Sequence, residues 1–209
     1  MALDEALLEA APRLGRPVLR FYGWASPAVT FGYFQRYAEV ARATGLRPLL
    51  RRPTGGGIVS HAADWTYSLT IPAGHAWHSL RAVASYRQLH EWVRSAFARL
   101  GLDTRLALES RHPRPGECFA GHEVADVLWL GRKVAGAAQR RTRTGLLIQG
   151  SIQPPPGLTR HQWQEALCAA ATERFGVSWE VWSADATLQA SADQLLRDKY
   201  SRADYHQRR

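Results

Sequence analysis

Glu123-Val-Ala-Asp-Val-Leu-Trp-Leu-Gly-Arg-Lys-Val-Ala-Gly-Ala-Ala-Gln-Arg-Arg-Thr-Arg-Thr-Gly-Leu-Leu-Ile-Gln-Gly-Ser-Ile152 is the stretch on which the fold turns. It reads as three successive strands, Glu123–Leu130, Lys133–Arg140 and Leu146–Ile152, with turns at Gly131-Arg132 and Arg141–Gly145. Strands joined this closely must be antiparallel neighbours, because a parallel pair needs a crossover of about a dozen residues. Upstream, Val18–Gly23 and Ala28–Gly32 are short, β-branched or aromatic, and bounded by Gly and Pro, so they read as strands. Ile58–His61 and Trp65–Ile71 read as a hairpin turning near Ala62-Ala63-Asp64, and Thr104–Leu108 as a further strand.

Helices fall between these groups. Residues 1–11 carry Leu3, Ala6, Leu7 and Ala10 on one face and acids on the other, with a stop at Pro12. Tyr37–Thr44 predicts a short helix. Leu80, Val83, Leu89, Val93, Phe97 and Leu100 predict the longest one, with Ser79 to cap it and Gly101 to end it. Residues 109–117 hold two prolines and read as a loop up to Cys118, and Pro154-Pro155-Pro156-Gly157 precedes helices at 159–175 and 184–199. Helices inserted between hairpins predict a single α+β domain over residues 1–209, with a mixed, mostly antiparallel sheet flanked by helices.

Composition narrows the function classes. The 209 residues are 45% hydrophobic and 22% charged, which excludes a disordered or fibrous chain. No apolar run approaches the ~18 residues of a membrane span, and the acidic start does not read as a secretory signal. Two cysteines, Cys118 and Cys168, without framework spacing predict free thiols and a cytoplasmic protein. The net charge of +9 favours acidic partners. Only Lys133 and Lys199 are lysine among 27 basic residues, so a retained lysine points to a need for a compact amine.

Three segments carry candidate chemistry. In Arg51-Arg52-Pro53-Thr54-Gly55-Gly56-Gly57, glycine N–H groups can line a concavity for a carbonyl or phosphate, and the arginines can hold an anion; an ordinary glycine turn fits the same pattern. No Gly-Lys-Ser/Thr follows, so it is not a nucleotide P-loop. Cys118 lies among Arg111, His112, Arg114 and His122, whose positive charge enlarges a thiolate fraction, whereas Cys168 shares a helix face with Ala171 and Phe175 and reads as core. Lys133 is followed by small residues that leave space against a sheet, although a solvated edge lysine fits too. His75 and His78 lack a third ligand, so no metal site is expected. Arg140, Arg141 and Arg143 suit phosphates or solvent equally.

Taken in order, these segments resemble the biotin/lipoate protein ligase superfamily, in its lipoyl and octanoyl branch. The resemblance runs from Met1 to about Ile152. It rests on Met1-Ala-Leu-Asp-Glu-Ala-Leu-Leu, Leu19-Arg-Phe-Tyr-Gly-Trp, Thr30-Phe-Gly-Tyr-Phe-Gln35, Arg51 through His61, Asp64-Trp-Thr-Tyr-Ser68, Lys133 through Gln139, and Gly150-Ser-Ile152. It implies a role for Lys133 in catalysis and an acyl-binding site that includes Arg52, Thr54, Gly55, Gly56, Gly57, His61, Gly136, Ala137, Ala138 and Gln149. A Cys-Phe pair fifteen residues before the lysine, Cys118-Phe119, is similar to octanoyltransferases that work through an acyl-cysteine. ATP-dependent ligases of the family usually show Asn-Asp before the lysine strand, where this chain has Val124-Ala-Asp-Val127. The short run of chain beyond the match also favours transfer over ligation.

The resemblance therefore implies octanoyl or lipoyl transfer from acyl carrier protein to a lysine of a lipoyl domain or glycine-cleavage H protein, with Cys118 and Lys133 catalytic and no cofactor required. ATP and magnesium enter only if the chain is a lipoate or octanoate ligase. A non-catalytic lipoyl-domain binder is a third reading, and an arginine-rich nucleic-acid-binding domain is a competing one; neither nucleic acid nor membrane is expected as a partner. Two departures bear on the site. The family commonly has His-Asp after the glycine loop, where this chain has His61-Ala62, and a His before the final Gly-Ser, where it has Gln149. The family's usual strand before the first helix has no counterpart either.

Overall fold

The computed structural model describes residues 1–111 and 121–208. In chain order the elements are α1 (Ala2–Leu14), β1 (Val18–Tyr22), β2 (Val29–Phe31), α2 (Tyr37–Ala43), β3 (Leu49–Arg51), β4 (Val59–Ser60), β5 (Trp65–Pro72), α3 (Ala76–Ser79) and α4 (Ala82–Arg99). They continue with β6 (Arg105–Leu106), β7 (Val127–Trp129), β8 (Arg132–Arg141), β9 (Gly145–Ile152), α5 (Arg160–Phe175), α6 (Ala186–Leu195), a π-helical turn (Leu196–Tyr200) and α7 (Ala203–Gln207).

Six strands form an antiparallel sheet in the order β1-β5-β9-β8-β7-β6. A second sheet, β3-β2-β4, pairs β2 parallel to β3 and antiparallel to β4. The predicted α+β class with a mixed, mostly antiparallel sheet is the observed one. Period-2 alternation sorts the faces of the large sheet. Trp65, Tyr67, Leu69 and Ile71 of β5, with Leu146, Ile148 and Ile152 of β9, join Leu89, Trp92, Val93 and Phe97 of α4 and Trp163 and Leu167 of α5 in one core. Trp163 has no exposed surface and meets Phe21 edge-on with centroids 5.7 Å apart. The Tyr67 ring fills the space that a Cβ at Gly150 would need. The opposite face carries Thr66 and Ser68 of β5, Gln149 and Ser151 of β9, and Gly136 and Ala138 of β8, in register with one another. That polar, small-residue face holds the candidate site.

Several boundaries differ from the expectation. α1 runs through Pro12 to Gly15, whose φ of 65° suits a glycine cap. The proline leaves the Leu8 carbonyl without its helical N–H, and Thr144 Oγ1 donates to that carbonyl at 3.4 Å instead. Ile58–His61 and Trp65–Ile71 are not a hairpin: β4 pairs with β2 in the small sheet, whereas β5 enters the large one. Between β7 and β8 the turn is Leu130-Gly131, one residue earlier than predicted, and both have positive φ, the signature of a type I′ hairpin. β7 starts only at Val127, because Ala125 has φ 68° and Asp126 N–H turns back to the Glu123 carbonyl at 3.0 Å. Ser79 ends α3 and does not cap α4, which starts at Ala82. The predicted helix at 184–199 becomes α6 and the π-helical turn, while the predicted 159–175 helix is α5, capped by a reciprocal Thr159–Gln162 box.

Lys199 clasps the C-terminal segment to α1. Its Nζ lies 2.5 Å from Glu5 Oε2, which also accepts from Tyr200 at 2.6 Å, and Arg140 takes Glu5 Oε1 at 2.7 Å. Burial raises the Glu5 pKa, but Lys199, Tyr200 and Arg140 outweigh it and hold the carboxyl below its usual range. A depressed carboxyl stabilises the fold fully above its unfolded value of about 4.3 and loses that share as pH falls through its folded value. Glu5→Gln is therefore expected to cost about 1–3 kcal/mol at pH 7. Urea titrations of both proteins should show that gap closing below about pH 4.

Candidate active site

Lys133 owes its position to a bulge. Val127 faces Ala135 while Leu128 faces Lys133, so one extra residue, Val134, lies in β8. The shift carries Lys133 from the core side to the polar side, where its Cε and Nζ fill the space a Cβ at Gly136 would need. Lys133 Nζ lies 2.7 Å from Asp126 Oδ2, and the Asp126 side chain is fully buried. Glu123 N–H donates to the same oxygen at 2.7 Å. Tyr86 of α4 donates its hydroxyl to Asp126 Oδ1 at 2.5 Å and accepts Ala137 N–H at 3.3 Å. Burial and the Asp126 carboxylate push the Tyr86 phenol well above its ordinary range. The His90 ring lies 4.2 Å from the Tyr86 ring, and burial brings its pKa down to about 4. Neither His90 nitrogen has a hydrogen-bond partner among the described residues.

The glycine loop lies against this floor, and Arg52 shapes it from behind. Arg52 Nη1 donates to Thr30 Oγ1 at 2.9 Å, and Nη2 donates to the Gly55 and Gly57 carbonyls at 2.7 and 2.9 Å. Burial lowers the Arg52 pKa to about 10. These donors, which the sequence reading offered to an anion, hold the backbone of the loop. Gly56 has φ 84°, and a Cβ there would meet Arg52 Nη2 and Ala138 Cβ at 3.3 and 3.4 Å. The Gly56 carbonyl in turn fills the space beside Gly32. Two positions thus require glycine, one for φ and one for close approach.

Two buried networks tie the loop to the sheet. In the first, Thr54 Oγ1 donates to Gln149 Oε1 at 2.8 Å and Gln149 Nε2 donates to Asp4 Oδ2 at 2.7 Å. Asp4 also accepts from Arg20 and Ser68 at 2.7 Å and from Tyr22 at 3.1 Å. In the second, His61 Nε2 lies 2.8 Å from Thr30 Oγ1 and His61 Nδ1 lies 2.8 Å from Asp64 Oδ2. Asp64 Oδ2 also accepts from Ser151 at 2.6 Å and Thr66 at 3.2 Å, and Trp24 stacks on the His61 ring at 4.2 Å. Arg52 donates to the same Thr30 oxygen and joins this network to the loop. The order hydroxyl–imidazole–carboxylate matches a hydrolase triad, but Thr30 has no exposed surface, so this is a tie and not a nucleophile. Asp64, two residues beyond Ala62, is the carboxylate that pairs with His61.

The structure thus brings Arg52, Thr54, Gly55–Gly57, His61, Lys133, Gly136, Ala138 and Gln149 to one polar face and its covering loop. Ala137 lies on the core side and contributes its N–H to Tyr86. Cys118, with His112 and Arg114, lies outside the described residues; Arg111 and His122, which bracket that segment, pair through two backbone bonds of 2.8 and 2.9 Å. Cys168 is half-buried on α5, and burial raises its thiol pKa. His75 caps α3, accepting Trp77 N–H at 3.2 Å, and among the described residues no group of His, Cys, Asp and Glu is arranged to hold a metal. Arg140 and Arg141 are committed to Glu5 and to the His78 carbonyl. Sequence reasoning missed Asp4, Asp64, Tyr86 and Asp126. The available signal was acids placed against an arginine-rich background, at the start of a strand or just inside the first helix.

A family model described as the lipoyl protein ligase A/B catalytic domain matches residues 1–154. Among curated proteins, the chain is 36% identical over 167 residues to octanoyltransferase LipM of Geobacillus kaustophilus, covering 73% of this chain and 59% of that protein. It is also 36% identical over 165 residues to octanoyltransferase LipM of Bacillus subtilis, with the same two coverages of 73% and 59%. It thus spans about three-fifths of the length of these relatives. Among solved structures, lipoate-protein ligase A bound with ATP superposes with a TM-score of 0.80 at 21% identity, over 99% of this chain and 92% of that one. A bi-partite lipoate protein ligase from Thermoplasma acidophilum gives 0.74 at 21% identity, over 99% and 91%. At this identity the two structures establish the fold alone, and the sequence matches establish kinship: this chain belongs to the lipoyl protein ligase A/B catalytic domain family.

Proposed function

We propose that residues 1–209 act as one catalytic domain, in the cytoplasm, transferring octanoyl from acyl carrier protein to a lysine of a lipoyl domain or glycine-cleavage H protein. The observation that carries this reading is Lys133 on its bulge, with its amine over Gly136 and 2.7 Å from Asp126, beside the small-residue stripe of Gly136 and Ala138. The relatives named octanoyltransferase support the choice of acyl group and of transfer over ligation.

The chemistry needs no ATP. The Cys118 thiolate attacks the thioester carbonyl, the carbon–sulfur bond to the carrier breaks, and the carrier leaves as a thiol that takes up a proton. The acceptor lysine, as a free amine, then attacks the acyl-cysteine; an amide forms, a proton is lost from nitrogen, and Cys118 is released. The first exchange is nearly neutral in energy, and amide formation draws the sequence forward. Lys133 donates an N–H to the carbonyl oxygen as negative charge builds there. The octanoyl chain lies in an apolar tunnel, gaining ~0.8 kcal/mol per buried methylene. The +9 charge of the chain steers acidic carrier and acceptor domains.

Intact-mass spectrometry after mixing with octanoyl-acyl carrier protein, without ATP, tests this reading. An octanoyl adduct is expected on the wild type and not on Cys118→Ser. Acceptor modification that requires free octanoate and ATP would instead make the chain a ligase, with Cys118 a bystander.

A further inference from the structure

Asp126 divides its two oxygens between two tasks. Oδ2 takes Lys133 and the Glu123 N–H, while Oδ1 takes only the Tyr86 hydroxyl among the bonds described above. A carboxylate turns easily about its Cβ–Cγ bond, where the torsional wells are broad. The two donors on Oδ2 hold the carboxylate from one side, and the Tyr86 hydroxyl on Oδ1 holds it from the other. Tyr86 is itself fixed at both ends. Its backbone belongs to α4, and its oxygen accepts the Ala137 N–H, which lies past the end of the β7 pairing at Ala135. The His90 ring closes on its side at 4.2 Å.

We infer that Tyr86 is a positioning residue for Lys133, acting through Asp126. This rests on the role proposed above for Lys133. Helix α4 thereby sets where the lysine amine stands over Gly136. A buried tyrosine that merely satisfied its hydroxyl would support the fold without being coupled to Asp126 in catalysis, so coupling is the quantity to measure.

The test is a double-mutant cycle on octanoyl transfer with Tyr86→Phe, Asp126→Asn and the pair together. Tyr86→Phe is expected to lower kcat about tenfold, the value of one hydrogen bond of about 1.4 kcal/mol, with KM for the octanoyl donor unchanged. Asp126→Asn, which weakens the charge contact itself, is expected to lower it about thirtyfold, with the double variant no slower than Asp126→Asn alone. A second readout does not depend on activity. The chain holds two lysines, so protein labelled with 15N-lysine gives two side-chain signals, assigned with Lys199→Arg. In Tyr86→Phe the Lys133 signal moves and the Lys199 signal stays. An additive cycle, about three-hundredfold slower in the double variant, or an unmoved Lys133 signal overturns the assignment. If Lys133→Ala transfers octanoyl at the wild-type rate, the role proposed for Lys133 fails instead, and the Lys133 signal in Tyr86→Phe still decides the positioning.

Discussion

Lys133→Ala is expected to lower octanoyl transfer by about a thousandfold, the upper range for losing a donor aimed at developing negative charge. The amine is 2.7 Å from a carboxylate with no exposed surface, and its tail lies over a glycine. Lys133→Arg is expected to fail almost as badly. The guanidinium is planar and broader than an ammonium, and the space over Gly136 that Lys133 fills is bounded by Asp126. Stability should fall as well, because the variant leaves the Asp126 carboxylate, which has no exposed surface, without its cation. Single-turnover transfer to a lipoyl domain, measured beside urea unfolding, separates the two effects. Activity within tenfold of wild type in Lys133→Ala would remove the lysine from the chemistry.

That lysine also shows what could and could not be read before the fold was seen. β8 and β9 were legible because turn residues separate them from each other and from β7, and α4 because apolar residues recur at helical spacing. The scarcity of lysine pointed to Lys133 from composition alone. Its partner was not legible. Strict alternation puts Lys133 on the side of Ala135 and Ala137, and only the extra residue at Val134 turns it towards Asp126. A bulge has no firm sequence signature, since it is settled by the pairing of both strands. The supposed hairpin across Ala62-Ala63-Asp64 went wrong for a related reason. Three residues between two short strands look like a turn, but Asp64 is drawn inward by His61, Thr66 and Ser151, and β4 finds its partner in β2, about thirty residues away. Pairing with another strand decided both cases, and neither strand's own pattern records it.

Arg52→Ala is expected to cost about 3–5 kcal/mol of stability and to slow transfer by about a hundredfold. The sequence placed this arginine beside three glycines, where an anion is the natural partner; the structure turns its donors onto the loop instead. With the side chain gone, the Gly55 and Gly57 carbonyls lose their donor at a site where Arg52 is only 5% exposed, and Thr30 loses the bond that ties it to the loop. A trans peptide sets each N–H opposite its own carbonyl. By drawing the Gly55 and Gly57 carbonyls inward, Arg52 therefore aims the Gly56 and Ile58 N–H groups outward, as a cradle for a thioester carbonyl needs. Arg52→Lys should rescue little, because one ammonium cannot span Thr30 and two loop carbonyls as the guanidinium fork does. The measurement is urea unfolding together with transfer at saturating donor. If Arg52 instead contacts the substrate directly, Arg52→Lys will keep wild-type stability and lose affinity for the octanoyl donor, a rise in KM with kcat intact.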